Sequence, residues 1–361
     1  MAGPEAHVRA SPFVELKRLA GLDAAQRAQF AELESDPNFY GLFIPKPPLT
    51  TNLKAVERET AELFLSLAIP SRVLVDDHII DLVLDGVLEI ESDGEFVCGA
   101  DAVSILCDPI SSTATRGLSR DALLHAQDLE LSDARELTFA LYLYNRIPLT
   151  PFWKARFPNP AAILAHLGAD RLAGHWAAGR HDHWLSWSRT TSHDASAVTY
   201  KLYVSPRPER IRDAFDAVVR VLAEVPETAF KIGDSAAGLL RPDKLVLYFT
   251  TREQLDEVAD ALRRELSGCD AHGVPFTAGL DDSGLLSWGI DPPDNDRPLR
   301  WLDSESWRLW IAQRLGAALS VAALARSASA IEPWRFAVER VRRAGVDVDT
   351  WTPSPRLWSR A

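Results

Sequence analysis

The chain lacks most of the features that announce a common chemistry. Among its 361 residues are only three cysteines, Cys98, Cys107 and Cys269. Their number is odd and no two have metal-ligand spacing. That argues against a disulfide framework or a cysteine-based zinc site and fits a reducing cytoplasm. No apolar run approaches the ~18 residues that a membrane span needs. The opening stretch, MAGPEAHVRASPF, holds no apolar signal core. Positive charge is scarce: 39 Lys and Arg against 51 Asp and Glu give a formal net charge of -12. Nucleic-acid binding wants the opposite balance. There is no G-x-x-x-x-G-K-[ST] loop, no G-x-G-x-x-G opening a helix, no G-x-S-x-G elbow and no H-E-x-x-H helix.

What remains is an ordinary globular composition, 47% hydrophobic and 25% charged, long enough for two domains with ample core. Helical spacing marks 12–33, 57–67, 79–84, 119–126, 132–144 and 161–167. A hairpin is expected at Val87 to Cys98, turning at Ser92-Asp93-Gly94. Helix followed by hairpin suggests a winged-helix-like unit inside a mostly helical N-terminal domain, residues 1–190, suited to peptide or partner docking. The second half alternates strand and helix. It predicts an α+β domain with a mixed sheet over 191–327, followed by a basic helix and tail over 328–361. The overall fold class is therefore α+β.

His175, His181, His183 and His193 cluster in sequence. H-x-H can ligate a metal on a strand, but no nearby cysteine completes a set. The better reading of Arg171 to Trp187 is a solvated, aromatic-rich linker. The pairs Asp76-Asp77 and Asp281-Asp282 fall in loops or at caps and are given no catalytic role.

The stretch Val198 to Phe249 concentrates four cations, Lys201, Lys231, Arg241 and Lys244, on three strand-like runs. In the first run Val198, Tyr200, Leu202 and Val204 point one way and Thr199, Lys201 and Tyr203 the other. Lys201 and Tyr203 therefore share a face. Lys231 sits among apolar neighbours. Two readings are open from spacing alone. Lysines also guard exposed sheet edges, and Arg-Pro-Asp-Lys is an ordinary way into a strand. The chemical reading is an anion site. Arginine's planar fork suits phosphate, and a lysine beside other cations loses basicity and can act as a base. A second lysine can stabilise a developing enolate. Together these parts suit β-elimination of phosphate.

The segments K-L-Y-V-S (Lys201 to Ser205), F-K-I-G-D (Phe230 to Asp234), R-P-D-K-L-V-L-Y-F (Arg241 to Phe249) and G-V-P-F-T-A with G-L-L-S-W-G resemble the Hop class A type III effector domain. The pieces L-D-G-V-L-E-I-E, F-V-C-G and L-Y-L-Y-N-R-I-P resemble its stand-alone relatives in class V lanthipeptide and thioamitide biosynthesis. A remoter resemblance is to the phosphothreonine lyases. It implies Lys231 as catalytic base, Lys201 as stabiliser of the enolate-like intermediate, and Arg241 as a phosphate ligand. Ser306-Trp307-Arg308 is similar to a late S-Y-R, which makes Arg308 a second phosphate ligand beside Lys244. Where that pattern has a general-acid histidine, this chain has Tyr203, a weaker acid by its ordinary pKa. His193 is a possible substitute, against the reading of an exposed loop histidine.

These resemblances imply a cytoplasmic lyase that makes dehydroalanine or dehydrobutyrine from a phosphorylated, ribosomally made precursor peptide. A separate Ser/Thr kinase would supply the phosphate. No metal or organic cofactor, nucleic acid or membrane is implied. A non-catalytic phosphopeptide- or leader-binding module is the alternative, and Tyr203 favours it. A cyclase joining a Cys thiol to the dehydroamino acid ranks third, because no Cys/His cage is present.

Overall fold

The computed structural model describes residues 4–49, 51, 53–107, 117–189, 200–226, 228–292, 306–325 and 331–354. In chain order the first part holds β1 (Glu5–Ala10), β2 (Val14–Lys17), α1 (Ala24–Phe30), β3 (Phe39–Pro45), β4 (Lys54–Glu57), α2 (Arg58–Ser66), β5 (Ser71–Leu74), α3 (Asp77–Leu84), β6 (Leu88–Ser92) and β7 (Glu95–Val97). Five helices follow: α4 (Val103–Leu106), α5 (Gly117–Asp128), α6 (Ala134–Tyr142), α7 (Pro151–Arg156) and α8 (Pro160–Leu167). Next come β8 (Ala177–His181), β9 (Trp184–Ser188), β10 (Tyr200–Val204), α9 (Ile211–Leu222), β11 (Ala229–Gly233), α10 (Ala236–Leu239) and β12 (Leu245–Phe249). The chain closes with α11 (Arg252–Glu265), β13 (Ala278–Gly279), β14 (Leu286–Ile290), α12 (Trp307–Ala322), α13 (Pro333–Arg343), β15 (Val346–Asp347) and β16 (Thr352–Pro353).

The α+β class holds, but the N-terminal part is not mostly helical. Seven strands form a four-stranded sheet, β5-β1-β6-β7, and a three-stranded one, β2-β3-β4. The helix expected over 12–33 is replaced by β2, which pairs with β3, and by the short α1. Asp23 starts α1 by accepting the Gln26 backbone N–H. The β6–β7 hairpin forms where expected, turning through Asp93 and Gly94, both at positive φ.

The main sheet runs β13-β14-β10-β12-β11-β9-β8. Its pairings among the described residues are all antiparallel, so the mixed sheet is corrected. The reason is topological. β10 and β11 point the same way, as a strand–helix–strand pattern requires, but β12 inserts between them and keeps them apart. The stretch read as a linker is the β8–β9 hairpin. Asp182 and His183 have φ of 45° and 67°, the two positive values that a two-residue hairpin turn needs. Val198 and Thr199 lie outside the described residues, so β10 starts at Tyr200.

One face of this sheet is apolar. Leu185, Trp187, Leu202, Phe230, Ile232, Leu245 and Leu247 are buried, as are Phe215 and Val218 of α9 and Leu255 and Leu262 of α11. Each such side chain contributes about 1.5–3 kcal/mol of burial. A continuous apolar core joins both halves of the chain, from Val8 to Trp351. α12 packs against α6 and α13. The approach to α6 is close because position 316 is glycine. A Cβ there would lie 2.5 Å from Thr138 Oγ1 and 2.8 Å from Ala134 O. Gly316→Ala is expected to cost about 1–3 kcal/mol by overpacking, read from the urea unfolding midpoint.

Candidate active site

Strand register places the cations. Lys201 stands opposite Tyr248 of β12, and Tyr203 opposite Val246. From the other side Lys231 stands opposite the same Val246. Residues directly across a ladder share a face, so Lys201, Tyr203, Lys231 and Tyr248 lie on the face away from α9 and α11. β9 adds Ser186 opposite Lys231.

Aromatic rings line this face. The Lys231 Nζ lies 4.5 Å from the Trp184 ring centre and 5.4 Å from that of Tyr248. Lys201 Nζ lies 5.6 Å from Tyr248 on its other side. These are cation–π distances. The two lysines differ in their partners. Lys201 Nζ donates to Asp291 Oδ1 at 2.6 Å, and the same oxygen accepts the Trp307 backbone N–H at the start of α12. Lys231 Nζ has no hydrogen-bond or ion-pair partner among the described residues. Burial pushes its pKa down to about 8, with the charge of Lys201 next and that of Arg241 adding, against the pull of Asp243.

Beside Lys231 sits an ion cluster. Arg241 donates through Nε to Asp243 Oδ1 and through Nη2 to Oδ2, both at 2.8 Å. Its Nη2 also donates to the Tyr142 hydroxyl at 2.8 Å. The Asp243 carboxylate is buried. Arg308 Nη1 lies 2.7 Å from its Oδ2 but is not aligned as a hydrogen bond. The two arginines hold the Asp243 carboxyl well below the usual range against the cost of burial. Arg308 is only 2% exposed. Its Nε donates to Pro275 O and its Nη2 to Tyr142 O. Its guanidinium therefore positions Asp243 and Tyr142 from behind rather than facing the cleft. The Arg241 fork is likewise spent on Asp243, which leaves Nη1 without a partner among the described residues. Arg241 also lies 5.2 Å from the Trp184 ring centre, next to Lys231.

The remaining expected residues separate from this group. Lys244 is fully buried. Its Nζ donates to Pro206 O and meets His272 Nδ1, each at 2.9 Å. Burial pushes both members of that pair down, and Lys244 pushes His272 further. The lysine ties β12 to a loop and presents no ammonium to the cleft. Tyr203 shares the lysine face but is 3% exposed, packed with Val246 and Val274. Burial raises its phenol well above the ordinary value, with Asp291 next. His193 lies outside the described residues. Among the described residues no group of three His, Cys, Asp or Glu is placed to hold a metal ion. No helix among them is long and apolar enough to cross a membrane. A largely apolar groove of about 850 Å³, lined by Leu164, Trp176, Leu185 and Trp187, lies on the opposite sheet face and holds none of the lysines.

Five residues of the cleft escape the sequence argument. Tyr248 is visible in the alternation of its strand. Asp243 stands inside R-P-D-K. Tyr142 stands inside L-Y-L-Y-N-R-I-P, about a hundred residues away. Trp184 is hidden in the supposed linker, and Asp291 carries no local signal.

No protein-family model and no curated protein sequence matches the chain. Solved structures do match it. An effector protein from Pseudomonas syringae pv. tomato strain DC3000 is 11% identical, with a TM-score of 0.43 over 65% of this chain and 97% of that one. An effector from Pseudomonas syringae pv. syringae strain 61 is 9% identical, with a TM-score of 0.40 over 67% and 99%. The type III effector and phosphothreonine lyase OspF from Shigella flexneri is 13% identical, with a TM-score of 0.27 over 47% and 89%. Likeness this loose carries no weight for the chemistry, which stands on the cleft itself.

Asp243→Asn would leave the buried Arg308 and the half-buried Arg241 against a neutral amide. A loss of about 3–5 kcal/mol is expected, measured by urea unfolding at neutral pH.

Proposed function

We propose that the cleft belongs to a lyase that eliminates phosphate from phosphoserine or phosphothreonine in a peptide. The observation that carries this reading is the unpartnered Lys231 ammonium, pushed down to about 8, between the paired cation Lys201 and the Arg241 guanidinium. Arg241 Nη1 receives the phosphate. Lys231, as the neutral amine, takes the Cα proton. Lys201 faces the charge that builds on the carbonyl oxygen. The Cα–H and Cβ–O bonds break, the Cα=Cβ bond forms, and phosphate leaves with the electron pair. Dehydroalanine or dehydrobutyrine remains. Arg308 and Lys244 serve this reading as buried supports, not as phosphate ligands.

In the same reading the substrate is a ribosomally made precursor peptide, phosphorylated by a separate Ser/Thr kinase in the cytoplasm during lanthipeptide or thioamitide maturation. Support for that context is the motif resemblance alone. The elimination itself calls for no metal or organic cofactor. A second reading, a phosphopeptide-binding module, draws on the burial of Tyr203, which removes the acid that the sequence pattern supplies.

The test is to incubate the protein with a phosphoserine precursor peptide and follow its mass. Loss of the elements of phosphoric acid is expected, reduced by at least about 10²-fold in Lys231→Ala. Because the base must be neutral, the rate should rise about tenfold per pH unit below pH 8 and level off above it. Binding without turnover, lost in Arg241→Ala, would favour the module. Neither turnover nor binding would overturn both.

A further inference from the structure

We propose that Tyr142, on α6, is the proton donor to the departing phosphate; this rests on the lyase reading. A phosphate monoester carries close to two negative charges at neutral pH. Breaking its Cβ–O bond without a proton would place a third charge on the leaving group. A donor is therefore needed at the ester oxygen that leaves Cβ, within reach of the guanidinium that receives the phosphate.

Three tyrosines border the cleft. Tyr203 is packed with Val246 and Val274 and nearly inaccessible. Tyr248 has its ring between the two lysine ammoniums, where the Cα proton is removed rather than where phosphate departs. Burial raises both phenols further above their ordinary value. Tyr142 differs in its placement. It is half-buried, and its Oη accepts a hydrogen bond from Arg241 Nη2 at 2.8 Å. That places the hydroxyl against the guanidinium whose Nη1 is left for phosphate. Its own proton has no acceptor among the described residues.

The ring is also held still. Arg241 and Arg308 lie 5.4 Å and 4.9 Å from its centre, and Arg308 Nη2 donates to its backbone carbonyl at 3.0 Å. In the full step Lys231 Nζ gains the Cα proton, and the C–H pair becomes the Cα=Cβ bond. The Cβ–O pair goes to the phosphate oxygen, and Tyr142 Oη–H protonates that oxygen. Tyr142 then regains a proton from water as Lys231 releases its own.

Tyr142→Phe keeps the ring and removes only the hydroxyl. With a phosphoserine peptide, kcat is expected to fall by roughly 10²-fold, with a smaller change in KM. Fluorotyrosines of increasing acidity placed at position 142 separate proton donation from mere support of Arg241. If Tyr142 transfers the proton, kcat changes in step with phenol acidity. A fall in Tyr142→Phe with fluorotyrosine rates independent of acidity would overturn the proposal. So would full activity in Tyr142→Phe, or loss of activity confined to Tyr203→Phe. No turnover by the unmodified protein would overturn the lyase reading and this proposal together, whereas the other adverse outcomes leave the lyase reading intact.

Discussion

A buried carboxylate, Asp243, organises the cationic cleft. The carboxylate and the Arg308 guanidinium are taken out of water together, with Arg241 half-buried beside them, and the mutual attraction offsets the desolvation. The cost is recovered as geometry. Asp243 grips one edge of Arg241, so the guanidinium cannot rotate, and the other end faces the cleft. Arg308 backs the carboxylate while also holding the carbonyl of Tyr142. Helices α6 and α12 and strand β12 thus meet at a single ion cluster. The close α6–α12 approach at Gly316 is the apolar half of the same arrangement.

The two lysines illustrate how one type of side chain is sorted into two roles. Both lie on the same sheet face and flank the same ring, that of Tyr248. Lys201 has a carboxylate partner, and its charge is compensated where it stands. Lys231 is largely taken out of water and has cations nearby, so its charged form is disfavoured. The difference is set by the end of β14, which delivers Asp291 to one lysine, and by β9, which delivers Trp184 to the other. Neither lysine's own strand decides the matter.

Much of this was legible in the sequence because strand parity is a local property. The alternation around Lys201 gave its face and that of Tyr203, and R-P-D-K placed Arg241 at the start of a strand. What could not be read depended on pairings between distant segments. Nothing near Tyr142 says that its hydroxyl meets Arg241. Nothing near Arg308 says that its guanidinium is enclosed rather than offered to a ligand. Lys244 looks like its neighbours in sequence, yet it stands just before the first residue of β12 and its ammonium turns to His272. The Trp184 segment looks like a linker because it is rich in histidine and tryptophan, whereas the turn that makes it a hairpin rests on positive φ at Asp182 and His183. β2 reads as helix from sequence because it is only four residues long and its alternation resembles one turn of helix.

The insertion of β12 between β10 and β11 has a kinetic consequence. Without β12, Lys201 would belong to a ribbon made with β14, and Lys231 to another made with β9 and β8. The two halves have no hydrogen bonds to share, because their adjacent strands run the same way at twice the ladder spacing. β12 closes the sheet from the middle, and it carries Tyr248 and, just before it, Arg241 and Asp243. The β11–β12 pairing joins strands that are neighbours in sequence, whereas β10–β12 and, still more, β10–β14 join distant ones, the kind of contact that forms late and slowly. The face that carries both lysines is complete only when β10, with β14 on its far edge, has joined the β11–β12 pair.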